Sequence, residues 1–568
     1  MKAHIKLLVN QMKNLFVLLL FTTHVWAQNP PPPPINPLPA PLDPVGNEST
    51  FDKVMLGKVL YWDEQMSSTK TVACASCHIM SSGGTDPRSN VNNPLAKNPG
   101  LDNLFNTADD ITGSPGVAET NSTGDYQHNL VFGYESQVTG RKAPSAINAG
   151  YANSLFWDGR AGDQLIDPIT NETVLPSGAA LEAQVLGPPV SSTEMAHTGR
   201  TWKDVITSIE RSSPLALSPI VPNDIVNWVG SQSYYQLFES AFGNTEITAS
   251  KIAMAIASYE RSLFSNQTPF DQSINGNANA LTQQERAGQA VFAASQCIGC
   301  HTGALMSDNN FHNIGVSPNN EDEGRFAVTG QIPDMGRFKT PPLRNLENRA
   351  SFMHSGTFST LEQVVDFYDR GGDFSNPNLD PRIRPLNLNQ NQKNSLLAFL
   401  RRPLTDVRVT NETGPFESPL LFSESDRLAI ISGEGVAGTG SKIPFIYSNQ
   451  PPLLGNKSFT LALENALPGA ESIFVVSTLD PGTDELPDVE SAIIYTTKTL
   501  LSGNNDGHVS LSIELPSSDS YNGKTLFGRW YVVDNQAING YAISPLLEFT
   551  LFKPDFGHAG QIFSAGFD

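Results

Sequence analysis

The chain reads as mainly α: two helical units, followed by a C-terminal all-β, sandwich-like domain. Three observations carry that reading. Helical periodicity of apolar residues dominates up to about residue 405, strict alternation replaces it beyond about 406, and the helical part contains a Cys-x-x-Cys-His pattern twice. The 568 residues, 39% of them hydrophobic, suffice for a sizeable core and roughly two to four domains. Charged residues make up only 16%, while Gly (45) and Pro (41) are plentiful, which suits a loop-rich extracytoplasmic protein. A net charge of −21 excludes a nucleic-acid binder, whose face must be basic, and favours a basic partner instead.

In chain order, residues 1–27 read as a signal peptide. Lys2, Lys6 and Lys13 are its positive part, Leu15 to Phe21 its apolar run, and Val25-Trp26-Ala27 before Gln28 its cleavage site. Met12 is an alternative start. The run is too short to span a bilayer, so a periplasmic or secreted protein with no stable transmembrane anchor is expected. Residues 28–46 form a Pro-rich linker with no core of its own.

The first unit covers 47–265. Its opening helix places Phe51, Val54, Met55, Val59 and Trp62 on one face, with Gly57 as a weak point in the middle. Asn90 to Gly124 reads as a surface insertion whose acids do not match an EF-hand loop. The second unit covers 266–405. Thr282 and Glu285 form a capping box for a helix running towards Cys297, and Ser359 and Glu362 form another. Leu361, Val364, Val365 and Tyr368 share a helical face that Gly371 and Gly372 terminate, and Leu396, Leu397 and Leu400 mark a closing helix. The accessory β-rich domain, 406–568, alternates in Phe459, Leu461 and Leu463, in Val509, Leu511, Ile513 and Leu515, and in Phe549 and Leu551. It carries no recognisable chemistry, and Ile562 to Asp568 reads as a sorting tail or disorder.

All four cysteines fall in the two repeated motifs, Cys74-Ala75-Ser76-Cys77-His78 and Cys297-Ile298-Gly299-Cys300-His301. Two thiols three positions apart reach the two vinyl groups of one haem, and the adjacent imidazole turns onto the iron. Disulfides, zinc or a redox dithiol are the competing readings, but they do not explain why both pairs carry the same trailing His. Two covalently bound haem c groups are therefore expected, with Cys74, Cys77, Cys297 and Cys300 as attachment points and His78 and His301 as iron ligands. The sixth position of each iron decides function, since an axial Met raises the potential and an open position suits chemistry on a small ligand.

Several further segments occur in a fixed order. They are Leu56-Gly57-Lys58-Val59-Leu60-Tyr61-Trp62-Asp63, the first motif, Ala143-Pro144-Ser145-Ala146-Ile147-Asn148, Phe156-Trp157-Asp158-Gly159-Arg160 and Glu194-Met195. The second motif, Gly324-Arg325-Phe326, Leu343-Arg344-Asn345 and His354-Ser355-Gly356 follow. With these segments, residues from about 50 to 405 resemble the bacterial dihaem cytochrome c peroxidases and their relative MauG, the methylamine dehydrogenase maturation enzyme. The resemblance implies two cytochrome c-like haem domains, a peroxide-binding first haem and an electron-donating second one.

Residue by residue, the resemblance assigns further roles. The peroxidases' distal Met, fourteen positions after the His of His-Ser-Gly, is Tyr368 here, as in MauG. Tyr368 is thus expected to bind the second iron, with Met306, Met335 and Met353 as alternatives and a plain core position as the bland reading. The distal His of the first unit falls at Tyr134 by ungapped counting, with His128 nearby. That departure implies an open first haem, unless one of the two caps the iron at rest. Gln184, Pro188 and Glu194 match the family's distal pocket, with Glu194 as the acid/base that moves a proton between peroxide oxygens. Trp157 corresponds to the tryptophan between the haems. The family's calcium site has Lys142 in place of its Asn ligand, and a positive group there opposes a cation. His197, His312 and His508 read as structural.

The leading expectation is a peroxidase that reduces hydrogen peroxide with electrons from a small cytochrome c or cupredoxin. The alternatives are MauG-like oxidation of a protein or organic substrate, which Tyr368 favours, and an electron-transfer cytochrome without chemistry of its own. That last reading would leave the Gln184–Glu194 pocket without a purpose.

Overall fold

Each helical region is framed by one close helix pair. In a computed structural model that describes residues 38–487, 492–500 and 507–553, Phe51–Trp62 packs against Ala249–Ser262, and Gln283–Ala294 against Gln390–Leu400. The expected signal peptide, the start of the Pro-rich linker and the C-terminal tail lie outside the described residues. No helix among the described residues is long and apolar enough to cross a membrane.

Each pair crosses on a glycine. A Cβ on Gly57 would stand 1.9 Å from the Ala255 carbonyl oxygen, and one on Gly288 would stand 1.9 Å from that of Ser395. Atoms cannot approach that closely, so the absent side chains set the distance between the helices. Gly57 is therefore a packing requirement and not the weak point that helix propensity suggests. Thr50 caps the first helix by accepting from the Lys53 amide, and Met55 to Trp62 are buried. The Thr282–Glu285 capping box forms as expected. The second expected box shifts by one residue: Thr360 caps Leu361–Arg370, and Gln363, not Glu362, completes the box. Gln363 also accepts from the Ser359 amide and hydroxyl, which leaves Ser359 just outside the helix.

Both regions continue alike beyond their Cys-containing turns. Asn148 (φ 67°) and Asn345 (φ 59°) adopt left-handed backbone and open the 3-10 turns Ala149–Tyr151 and Leu346–Asn348. Asparagine tolerates that conformation better than most side chains. Phe156 and Met353 then take positive φ next to the bridges Leu155↔Ala161 and Phe352↔Phe358. Long loops, more than helices, line the space between.

The strands of the two C-terminal sheets pair antiparallel throughout, with an isolated parallel bridge, Leu453↔Phe552. Phe459–Glu464 lies between Phe445–Tyr447 and Val509–Ile513 in one sheet. The second sheet runs Ile493–Lys498, Glu471–Ser477, Thr525–Val533, Leu546–Thr550, Ile430–Ser432, with Tyr541–Ile543 also on Thr525–Val533. Phe459, Leu461 and Leu463 of one sheet and Phe474, Trp530 and Phe549 of the other share one core, as two facing sheets must. Ala462, on the opposite side of its strand, packs with Tyr126 and Tyr134 of the first helical region. The Tyr126 hydroxyl donates to Asn449 Oδ1 (2.6 Å), and Ser512 Oγ donates to Asp125 (3.1 Å). The expected surface insertion therefore adjoins a segment that docks the sheets.

Candidate functional site

The two Cys-x-x-Cys-His motifs line two separate cavities. Cys77 and His78 line one of about 1110 Å³, and Cys297, Cys300 and His301 line a smaller one of about 190 Å³. All four cysteines are free thiols, so neither pair is closed into a disulfide. Burial pushes the Cys77 thiol up to about 12 and the Cys297 thiol up to about 11.

The histidines are prepared as ligands by their surroundings. His78 Nδ1 lies 3.2 Å from the Gly84 carbonyl oxygen, and His301 Nδ1 lies 3.0 Å from that of Met306. Only a protonated nitrogen can meet a carbonyl oxygen, so each proton sits on Nδ1 and each Nε2 presents a lone pair. Burial lowers both imidazoles, His301 to about 4, and keeps them neutral. A c-type haem requires two thiols for attachment and an imidazole lone pair for its iron. The second cavity presents all three on its wall, and the first presents Cys77 and His78 with Cys74 one helical turn away, so the residues fit that group in both places.

The walls differ in what accompanies the imidazole. Glu194, Gln184, Pro188, Arg160 and Glu260 line the first cavity. Glu194 is held by its turn: its amide donates to the Ser191 carbonyl (3.1 Å), and Gly116 packs against its backbone so closely that a Cβ would lie 2.9 Å from its Cα. Burial raises the Glu194 carboxyl and Arg160 partly offsets that shift, so the proton is held more firmly than on an ordinary glutamate. Gln184 comes from Ala180–Val185, and Pro188 opens the next 3-10 turn.

Tyr368 lines the second cavity together with Met353, and burial raises its phenol. Met306 contributes its carbonyl to His301 instead, and the Met335 carbonyl accepts from Asn313 and Asn378. Neither side chain lines the cavity.

Trp157 and Lys142 line both cavities. Trp157 Nε1 donates to the Lys142 carbonyl (2.7 Å), and its ring lies 6.3 Å from that of His354, which stacks on Phe338 at 3.5 Å. The Lys142 amide donates to the His354 carbonyl (2.8 Å), and Arg141 bridges Asp158 and Asp322 at 2.7 and 2.6 Å. These bonds brace the shared wall from both helical regions. Burial lowers the Lys142 ammonium to about 7, with Arg349 adding to the effect.

Tyr134 and His128 are not where ungapped counting puts them. Neither lines the first cavity. Tyr134 packs among Tyr126, Tyr447 and Ala462, and the His128 ring lies 5.2 Å from it, both against the sheet region. The loop of residues 120–135 is committed to docking the sheets, a long-range contact that counting along the chain cannot register. Sequence reasoning gave no role to Arg160, Glu260 or His354. Arg160 and His354 lay in segments already singled out, whereas Glu260, in the Ala-rich helix Ala249–Ser262, had no local signal.

A family model of the di-haem cytochrome c peroxidases matches residues 51–279. Cytochrome-c peroxidase IdrP1 of Pseudomonas sp. is 26% identical over 69% of this chain and 92% of its own length. The cytochrome c551 peroxidase of Nitrosomonas europaea is 28% identical over 56% of this chain and 73% of its own. The methylamine utilization protein MauG of Methylorubrum extorquens is 27% identical over 63% and 79%. Residues 51–279 thus match the di-haem cytochrome c peroxidase family, and the relatives, peroxidases and MauG alike, support an oxidoreductase of the peroxidase type.

Proposed function

We propose that the protein is an exported dihaem peroxidase that reduces hydrogen peroxide at the first cavity with electrons passed from the second. Cys74 and Cys77 would hold one haem c and Cys297 and Cys300 another, with His78 and His301 on the irons. The domains would run 47–265, 266–405 and 406–568. The haems, when bound, supply irons that exchange single electrons and, at the first site, a position for peroxide.

The chain's own residues do the rest. Reducing one peroxide to two waters consumes two electrons and two protons, so the pocket must deliver protons as well as admit substrate. Glu194 carries this reading: it is a half-buried carboxyl, raised by desolvation, on the cavity that His78 lines. It can accept the proton of one peroxide oxygen and return it to the other, turning the leaving oxygen into water. Gln184 offers an amide to orient the peroxide, and Pro188 shapes the wall without adding a competing donor. Trp157, on both cavities, is placed to couple them. A small cytochrome c or cupredoxin with a basic face would be drawn to the acidic surface.

One observation favours a second reading. Tyr368 on the second cavity would give an oxygen ligand, which suits a low-potential iron and MauG-like oxidation of a protein or organic substrate. Turnover separates the readings. Rapid peroxide loss with reduced cytochrome c as donor establishes the peroxidase. No turnover, but a persistent oxidised haem spectrum after peroxide, moves the assignment to substrate oxidation. No spectral response to peroxide leaves an electron-transfer cytochrome.

A further inference from the structure

Apart from a group at the edge of the second cavity, the described residues bring together one other set of three metal-capable side chains: His128, Glu464 and His508. Their ligand atoms all lie within 4.8 Å of one another. The three come from different parts of the chain. His128 belongs to the loop of the first helical region, Glu464 ends the strand Phe459–Glu464, and His508 immediately precedes Val509–Ile513, the neighbouring strand.

The geometry suits a ligand between them. The two imidazoles stack with centroids 3.8 Å apart, and His128 Nε2 lies 3.9 Å from Glu464 Oε1. The side chains are shielded, His128 being 14% and Glu464 27% exposed. His128 Nδ1 is buried with no hydrogen-bond partner among the described residues, an arrangement that costs free energy unless something meets it. Gly133 (φ 61°) keeps the space beside them clear, since a Cβ there would stand 3.5 Å from Glu464 Oε2 and 3.8 Å from His128 Nε2. The Glu464 charge also raises the Glu135 carboxyl and the Tyr134 phenol, in each case after burial itself, and a cation would relieve both.

We infer that His128, Glu464 and His508 form a binding site for a divalent zinc-type cation that fastens the sheet region to the first helical region. Two imidazoles and one carboxylate are a zinc ligand set, with a fourth position left to water, whereas calcium and magnesium call for oxygen ligands. Bonds of about 2.0–2.2 Å would draw the three ligand atoms together by side-chain rotation. The site is distinct from both haem cavities, whose linings include none of the three residues. It also reassigns His508, which sequence alone reads as structural.

The test uses the haem-loaded protein, stripped with a chelator and then dialysed against Zn²⁺ alone. Saturable binding of one zinc per chain and a higher melting temperature are expected. His128→Ala, His508→Ala and Glu464→Gln should each weaken binding by more than about tenfold, the smallest cost of removing even an outer-shell partner of a metal. Glu464→Gln keeps the side chain's size, so it remains informative if an alanine variant fails to fold. Absence of saturable zinc binding, binding unchanged in the folded variants, or equal competition by Ca²⁺ would overturn the assignment.

Discussion

The two cavities share one attachment scheme and differ in the wall that accompanies it. In both, a histidine donates Nδ1–H to a backbone carbonyl, a glycine-centred helix crossing sets the frame, and an asparagine in left-handed backbone turns the following loop. The first cavity adds Glu194, Gln184 and Arg160 and is the larger, whereas the second adds Tyr368 and Met353 and is smaller and more apolar. A roomy wall with a proton-holding carboxyl suits chemistry on a small polar molecule. A tight, more apolar wall fits the proposed role of the second cavity, which is to store electrons and not to admit peroxide. The difference teaches that the walls, and not the shared Cys-x-x-Cys-His motif, set the two cavities apart.

The largest way to break this comparison is to remove the proton carrier from the first wall. Glu194→Gln should lower peroxide turnover by about 10²–10⁴-fold, with both haems retained by absorbance. The matching change in the second wall is Tyr368→Met. Replacing an oxygen donor with a thioether should raise the second haem's potential in a redox titration and leave the first nearly unmoved. If neither potential changes, Tyr368 does not bind that iron.

The frame offers a subtler pair. Gly57→Ala and Gly288→Ala each force a Cβ into a backbone oxygen, so each should cost about 1–3 kcal/mol or more in denaturant unfolding. Each should also disturb the spectrum of its own haem more than that of the other.

A further effect concerns pH and the chain leading to the sheets. Burial raises the Glu64 carboxyl from 4.5 to about 7, although the Ser423 and Phe422 amides donate to it. Below pH 4.5 folded and unfolded chains both hold that proton. Between pH 4.5 and about 7 the unfolded chain has released it and the folded chain has not, so stability falls as pH rises through that window and then levels. Glu64→Gln should flatten this slope, by at most about 1.4 kcal/mol per pH unit, in unfolding measured at both ends of the window.

Much of this was legible in the sequence because it rests on local pattern. The helix over Phe51–Trp62, the Thr282–Glu285 box and the change to alternation at Phe459 each follow from residues within a few positions of one another. The pocket residues Gln184, Pro188 and Glu194 were legible through family segments, and they meet on one cavity. Contacts between distant segments were not legible. Tyr134 and His128 turn to the sheets because Tyr447, Ala462 and His508 are there to receive them, and nothing near residue 134 announces those partners. Gly57 likewise looks like a helix defect until Ala255, nearly two hundred positions on, lies against it.

The most direct test of the central claim is a single turnover. The fully reduced dihaem protein is mixed rapidly with one equivalent of hydrogen peroxide, without donor, and the absorbance of both haems is followed. The account predicts that both haems become oxidised together in the wild-type protein and far more slowly in Glu194→Gln. Oxidation that proceeds equally fast in the variant, or that leaves the second haem reduced, would contradict it.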